Sequence, residues 1–265
     1  MSEERVSIEV SEHVATVTML RADKHNALDL PMFDALTAAI ARVSTESGIR
    51  AVVLHGAGKS FCSGIDIMSL ASAAPDGSGL TDPLSGPVPN RFQQVAYGWI
   101  TVPVPVIAAI HGNCFGGGLQ IALGADIRIA TADAKLSVME VKWGLIPDMG
   151  ITRTLPRLVA IDVAKELTYT GRVISGTEAA ALGLVTRVAD HPLLAAQQLA
   201  AEIASRSPDA VRRAKRLYEQ SWTGADADTL ALEAELQLEL IGSPNQLAAV
   251  TAGLTKEPAQ FTDPV

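Results

Sequence analysis

Three consecutive glycines, Gly116, Gly117 and Gly118, stand between an apolar strand pattern and an apolar helix pattern in HGNCFGGGLQIALGADIRIA, residues 111–130. Without a Cβ the chain there can adopt conformations closed to other residues and let a ligand approach the main chain. The first peptides of the following helix present unpaired N–H groups and the positive end of its dipole. Such a turn can bind phosphate, stabilise a developing oxyanion, or serve only as a tight turn. A second turn of this type, SFCSGIDI around Gly64, follows another apolar strand, so two sets of donors could face one site. The chemistry then needs a proton carrier. Glu140 lies between Met139 and Val141 after the strand-like LSV, where desolvation would raise a carboxyl pKa toward neutrality. Asp148, eight residues on in LIPDMGI, reads either as a second carboxylate or as the N-cap of the next helix.

The elements that must position these residues follow from periodicity. Alternation predicts strands at 6–10 and 14–19, joined as a hairpin through Ser11, Glu12 and His13. Apolar residues at helical spacing over 31–43, behind Asp29 as a cap, predict a helix. Buried strands are expected at 51–54, 104–110 and 136–138. A helix at 161–169 should stop at Gly171. Another at 177–182 has Ser175 and Glu178 spaced as a capping box and Gly183 at its end. Residues 72–90, rich in Gly, Ser and Pro, read as a mobile loop. From residue 192 the pattern becomes consecutive helices, at 192–205, 208–222, 226–241 and 244–254.

Composition narrows the class. Among 265 residues 48% are hydrophobic and only 4% aromatic, which favours an α/β protein. The net charge of −8 argues against a nucleic-acid partner, and the basic run Arg212, Arg213, Lys215, Arg216 reads as a solvated helix face. The N-terminus has no secretory pattern, and no apolar run has membrane-spanning length, so no membrane partner is expected. Cys62 and Cys114 lack metal or redox spacing, no residue cluster is spaced to bind a metal, and a cytoplasmic location is the expectation.

RADKHNALD at 21–29, GKSFCSGIDI at 58–67, PVPVIAAIHGNCFGGGLQIALGADIRIA at 103–130, LSVMEVKWGLIPDMGITRTLPRLV at 136–159 and TGRVISGTEAAALGLVTRV at 170–188 together resemble the crotonase superfamily, the enoyl-CoA hydratase/isomerase family. The resemblance implies a crotonase-like spiral of repeated ββα units over 1–191, carrying the CoA site and oxyanion hole. It also implies a C-terminal helical region, 192–265, that assembles homotrimers or hexamers. The oxyanion hole would use the backbone N–H groups of Ile65 and Gly117, and CoA would lie along Lys24, His25, Ser63 and Asp66, with Lys256 at its nucleotide end. CoA would be part of the acyl-CoA thioester substrate, with no separate cofactor. Of the two acids used by hydratases of the family, the second corresponds to Glu140. The first is replaced by Gln120, an amide that orients partners by hydrogen bonding but is no base. The stretch EVKWGLIPDMG resembles the dienoyl-CoA isomerase branch, whose second acid corresponds to Asp148. That branch too carries an acid where this chain has Gln120. The resemblance therefore implies isomerisation of an enoyl- or dienoyl-CoA double bond, with enoyl-CoA hydration as the alternative and non-catalytic acyl-CoA binding behind both.

Overall fold

The alternating N-terminal pattern forms a hairpin of β1 (Val6–Ser11) and β2 (Val14–Met19), with Ser11 opposite Val14. Glu12 and His13 both take positive φ, at 47° and 66°, a turn whose twist matches that of the strands. In the computed structural model, which describes residues 4–69, 89–222 and 224–263, four further strands add in parallel. These are β3 (Ala51–Gly56), β4 (Val106–Ile110), β6 (Ile127–Ala130) and β9 (Arg187–Val188), in the order β1-β2-β3-β4-β6-β9. β4 is buried along its whole length, as a parallel strand covered on both faces must be.

One face is covered by helices Leu30–Thr45 and Arg91–Thr101, which bury Met32, Phe33, Leu36, Phe92, Val95 and Trp99. Asp29 caps the first by accepting the Met32 N–H at 2.9 Å, and Phe33 meets Phe92 edge to face at 5.1 Å. The other face is covered by helix Pro192–Ala204. Its Ala196, Ala200 and Ala204, four residues apart on one stripe, pack on Val53, Ile107, Ala109 and Ile129. The first C-terminal helix is thus part of the sheet's packing. Helices Pro208–Ser221, Asp226–Leu240 and Pro244–Thr255 follow it.

A second, three-stranded sheet positions the chemistry. β5 (Asn113–Phe115) pairs in parallel with β7 (Lys135–Ser137), which pairs antiparallel with β8 (Ile174–Ser175). β5 runs directly into Gly116, and β7 ends three residues before Glu140. Helix Gly117–Leu123, buried at every position, starts at the glycine triplet.

Several expectations are corrected. The strand expected from 104 begins at Val106, because Pro103 and Pro105 have no N–H to give the ladder and the Val106 N–H itself goes to Asp126 Oδ2. Helix 91–101, which buries Phe92, Val95, Ala96 and Trp99 at helical spacing, and the short strands β5 and β6 add to the expected elements. Ser175 caps the Glu178 N–H, but the Glu178 carboxylate pairs with Arg172 instead of closing the capping box. The basic run 212–216 is not a uniformly solvated face, since Lys215 is buried. Its ammonium donates to Trp99 O at 3.2 Å, Val104 O at 3.1 Å and Asp126 Oδ2 at 2.8 Å, using all three N–H groups. The mobile loop read at 72–90 lies outside the described residues except for 89 and 90; Asn90 forms a capping box with Gln93. Among the described residues no helix is long and apolar enough to cross a membrane.

Candidate active site

The two glycine turns converge. Cys62 and Cys114 face each other in a bridge, with the Cys62 N–H on Asn113 O and the Phe115 N–H on Cys62 O, both at 3.0 Å. The chain then turns at Gly64, whose φ of +91° brings it so close that a Cβ there would lie 2.8 Å from the Phe115 carbonyl oxygen. On its other side Ile65 bridges Leu28, whose N–H donates to Gly64 O and whose carbonyl accepts from Asp66 N–H. In a parallel bridge those two bonds leave the N–H of the residue between them pointing away. Among the described residues neither the Ile65 N–H nor the Gly117 N–H donates to a main-chain carbonyl. Two free donors from two turns, one of them at a helix start, can hold a carbonyl oxygen as it gains negative charge. The cysteines are held as neutral thiols, since burial pushes Cys62 up to about 12 and Cys114 well above its usual value, and the Cys62 thiol donates to Asn26 O at 3.1 Å.

Glu140 opens a 3-10 turn, Glu140–Trp143, and lies buried against Gly116, where an added Cβ would sit 3.3 Å from its Oε1. Gln120, one turn into the glycine-triplet helix, donates from Nε2 to Glu140 Oε1 at 2.7 Å and accepts the Met149 N–H on Oε1 at 2.8 Å. Glu140 Oε2 is buried and has no hydrogen-bond partner among the described residues. Burial pushes the Glu140 pKa up, its own backbone N–H and Gln120 oppose this, and the charge of Asp148 adds to the rise. Asp148 is half-buried and raised for the same leading reason, desolvation. It is not the N-cap of the following helix, since Gly150 takes that position ahead of Ile151–Thr154. Gln120, Glu140 and Asp148 therefore form one cluster beside the two donors.

An open cleft lined by Arg21, Lys24, Ala27, Ile65, Asp66 and Met68 opens beside Ile65, one of the two donor residues. Lys24 and Asp66 line it, while His25 and Ser63 hold its wall. The His25 ring meets Ser60 Oγ at 3.0 Å, and Ser63 ties its N–H to His25 O and its hydroxyl to Lys24 O. Lys256 is exposed at the end of the last helix, and no hydrogen bond or ion pair among the described residues joins it to the cleft. Three residues with a part in the site are not among those expected from the sequence. Leu28 and Met149 act through the main chain, which side-chain identity does not reveal. Arg21 pairs with Asp66 at 2.8 Å and Asp29 at 3.4 Å, and its place at the head of RADKHNALD was the available clue.

Residues 9–264 match the family described as Enoyl-CoA hydratase/isomerase. The chain is 35% identical over 258 residues to the mitochondrial Delta(3,5)-Delta(2,4)-dienoyl-CoA isomerase of Mus musculus, covering 92% of this chain and 77% of that protein. It is 38% identical over 222 residues to the (E)-benzylidenesuccinyl-CoA hydratase of Thauera aromatica, covering 80% of each. The crystal structure of enoyl-CoA hydratase from Bacillus anthracis superposes with a TM-score of 0.89 at 32% identity, covering 97% of this chain and 98% of that one.

Proposed function

The chain belongs to the enoyl-CoA hydratase/isomerase family, and on that premise we propose that it shifts a double bond in an unsaturated acyl-CoA through a thioester enolate. The Glu140 carboxylate takes the proton α to the thioester, and the electron pair passes into the enolate, whose oxygen is held by the Ile65 and Gly117 N–H groups. The pair then returns through the conjugated system to a carbon farther along the chain. There Glu140 or Asp148 delivers a proton. No activated water is needed, and CoA is the only non-protein group, carried by the substrate along Lys24, His25, Ser63, Asp66 and Lys256.

The observation that carries this reading is the pairing of one buried carboxylate, with one oxygen unsatisfied among the described residues, with an amide, Gln120, where a second base would be needed to prepare water. Hydration of a 2-enoyl-CoA is the second reading, supported by similar proteins named as hydratases. In it Gln120 or Asp148 would hold the water. Non-catalytic acyl-CoA binding draws its support from Gln120 alone. Separate incubation of the purified protein with 2-enoyl-, 3-enoyl- and 3,5-dienoyl-CoA, with product identification, tests all three. Shifted double bonds are expected, and efficient hydration with no detectable shift would replace the isomerase reading. Gln120→Glu adds a base for water and should raise hydration relative to isomerisation in the same assay.

The assembly proposed is a trimer or hexamer built through the C-terminal helices. Leu230, Leu238, Ile241, Leu247 and Leu254 are large apolar residues left exposed on or beside the last two helices, which supports burial against another copy. Light scattering at micromolar concentration should give a multiple of three chains, and a fully active monomer would refute it.

A further inference from the structure

We infer that Gln120 is a positioning residue that makes Glu140 a one-sided base, fixing its Oε1 and leaving Oε2 as the oxygen that takes the proton. The inference rests on the isomerase reading above for its kinetic part and on geometry for the rest. An amide side chain can usually be turned end for end, but here it cannot. The Met149 N–H, 2.8 Å away, can only donate, so it demands the amide oxygen. The amide nitrogen is thereby turned toward Glu140, at 2.7 Å. Since that nitrogen only donates, Oε1 must stay an acceptor in both protonation states of Glu140. The proton that the carboxylate gains goes to Oε2, which is buried and has no partner of its own among the described residues.

The anchor is main chain on one side and helix on the other, so the carboxylate is held in rotation as well as in distance. Gln120 lies on the helix that begins with the Gly117 donor, and Met149 packs its sulfur against that same residue, 2.9 Å from where a Gly117 Cβ would be. One hydrogen-bonded chain therefore fixes the base relative to an oxyanion donor. The groups around Glu140 leave this arrangement as its main local control. Asp148 acts on it through charge. Lys142 on its own turn, Asp162, Lys165, Glu166 and Tyr169 on the packed helix Ile161–Thr170, and Arg153 on the helix after Asp148 are exposed to solvent.

The test compares wild type, Gln120→Leu and Gln120→Glu. Glu140 is followed by carbon-13 NMR of the glutamate carboxyls in the free enzyme, with Glu140→Gln identifying its signal, and by the pH profile of isomerisation. Gln120→Leu keeps the shape and removes both hydrogen bonds. The Glu140 midpoint should move to higher pH, because a donor to the ionised form is lost, and kcat should fall about 100-fold through misplacement of the base while KM changes little. Gln120→Glu should titrate in two steps, because one of its oxygens meets the Met149 N–H and the other faces Glu140 Oε1, so the pair must share a proton. Thermal unfolding establishes that each variant folds, and if Gln120→Leu does not, Gln120→Met takes its place. An unmoved Glu140 midpoint in a folded variant lacking the amide would overturn the inference, whatever the reaction. A moved midpoint in an enzyme that shifts no double bond would leave the positioning intact and remove the isomerase reading instead.

Discussion

Two buried charged groups in this molecule are treated in opposite ways. Lys215 reaches from its helix to the segments that lead into β4 and β6 and to helix Arg91–Thr101, and meets three acceptors. One of them, Asp126, also accepts the Val106 N–H at 2.7 Å. Burial pushes the Asp126 pKa up and the Lys215 charge opposes that rise, so each partner offsets the other's desolvation. Glu140 is buried to a similar degree, yet among the described residues it pairs with no cation: its own backbone N–H and a neutral amide are the donors that favour its charge, and Oε2 has no hydrogen-bond partner. A fully satisfied buried charge ties elements together. A buried charge left half satisfied keeps a reactive position open, at a cost the rest of the fold must carry.

The largest effect expected from this contrast is kinetic. Glu140→Gln keeps the acceptor that faces Gln120 and removes the base. Turnover should fall by roughly 10² to 10⁴, the usual contribution of a general acid/base, while CoA affinity measured by calorimetry stays near wild type. Near-unchanged turnover would mean that the proton is carried elsewhere, with Asp148 the first group to examine.

Next in size is the structural half of the comparison. Lys215→Met preserves the apolar stem but leaves the partly buried Asp126 without its cation and two main-chain carbonyls without a donor, which should cost about 3 kcal/mol of stability in denaturant unfolding. Asp126→Asn in the same chain should recover part of that loss, because it removes the stranded charge. The fraction that remains folded should turn over substrate as wild type does, since neither residue reaches the Glu140 cluster. Equal loss of activity and stability per folded molecule would erase the distinction between the two sites.

The contrast also explains which parts of the structure were legible in the sequence. Gly64, Gly116 to Gly118, Glu140 and Asp148 announce themselves by residue type, because close main-chain approach requires glycine and an acid among apolar neighbours is conspicuous. The hairpin β1–β2 and helix Leu30–Thr45 were legible because their periodicity runs long enough to count, and Asp29 marks the helix start. β5, with three residues, is too short to show a period, although it delivers the chain to Gly116. Lys215 was read as solvated because its neighbours Arg212, Arg213 and Arg216 are basic. What decides its burial is three acceptors from residues 89 to 116 positions away, which no local pattern contains. The Gln120 to Glu140 bond was open as a possibility from residue type, but the Met149 N–H that orients the amide is main chain and therefore silent in sequence.

The smallest effect expected is one of stability against pH, and it separates the two sites by sign. A carboxyl whose folded pKa lies above its unfolded value binds more protons in the folded state between those two values. Stability then falls as pH rises through that window, and the loss is complete above the folded pKa. Burial puts Glu140 in this class, starting from an ordinary value of 4.5. In Glu140→Gln that slope is absent. The variant should therefore match wild type in Tm near pH 3, where the carboxyl is protonated in both states, and become progressively the more stable of the two as pH rises from 4.5 to the Glu140 midpoint, above which the gap stays constant. Lys215→Met should be the less stable chain at pH 7, where Asp126 is left to bear its desolvation alone, and should close part of that gap on acidification, as Asp126 takes up a proton. Parallel Tm curves for wild type and Glu140→Gln across this range would show that the bare Oε2 costs the fold nothing, and would remove the energetic basis for treating Glu140 as a group held ready for proton transfer.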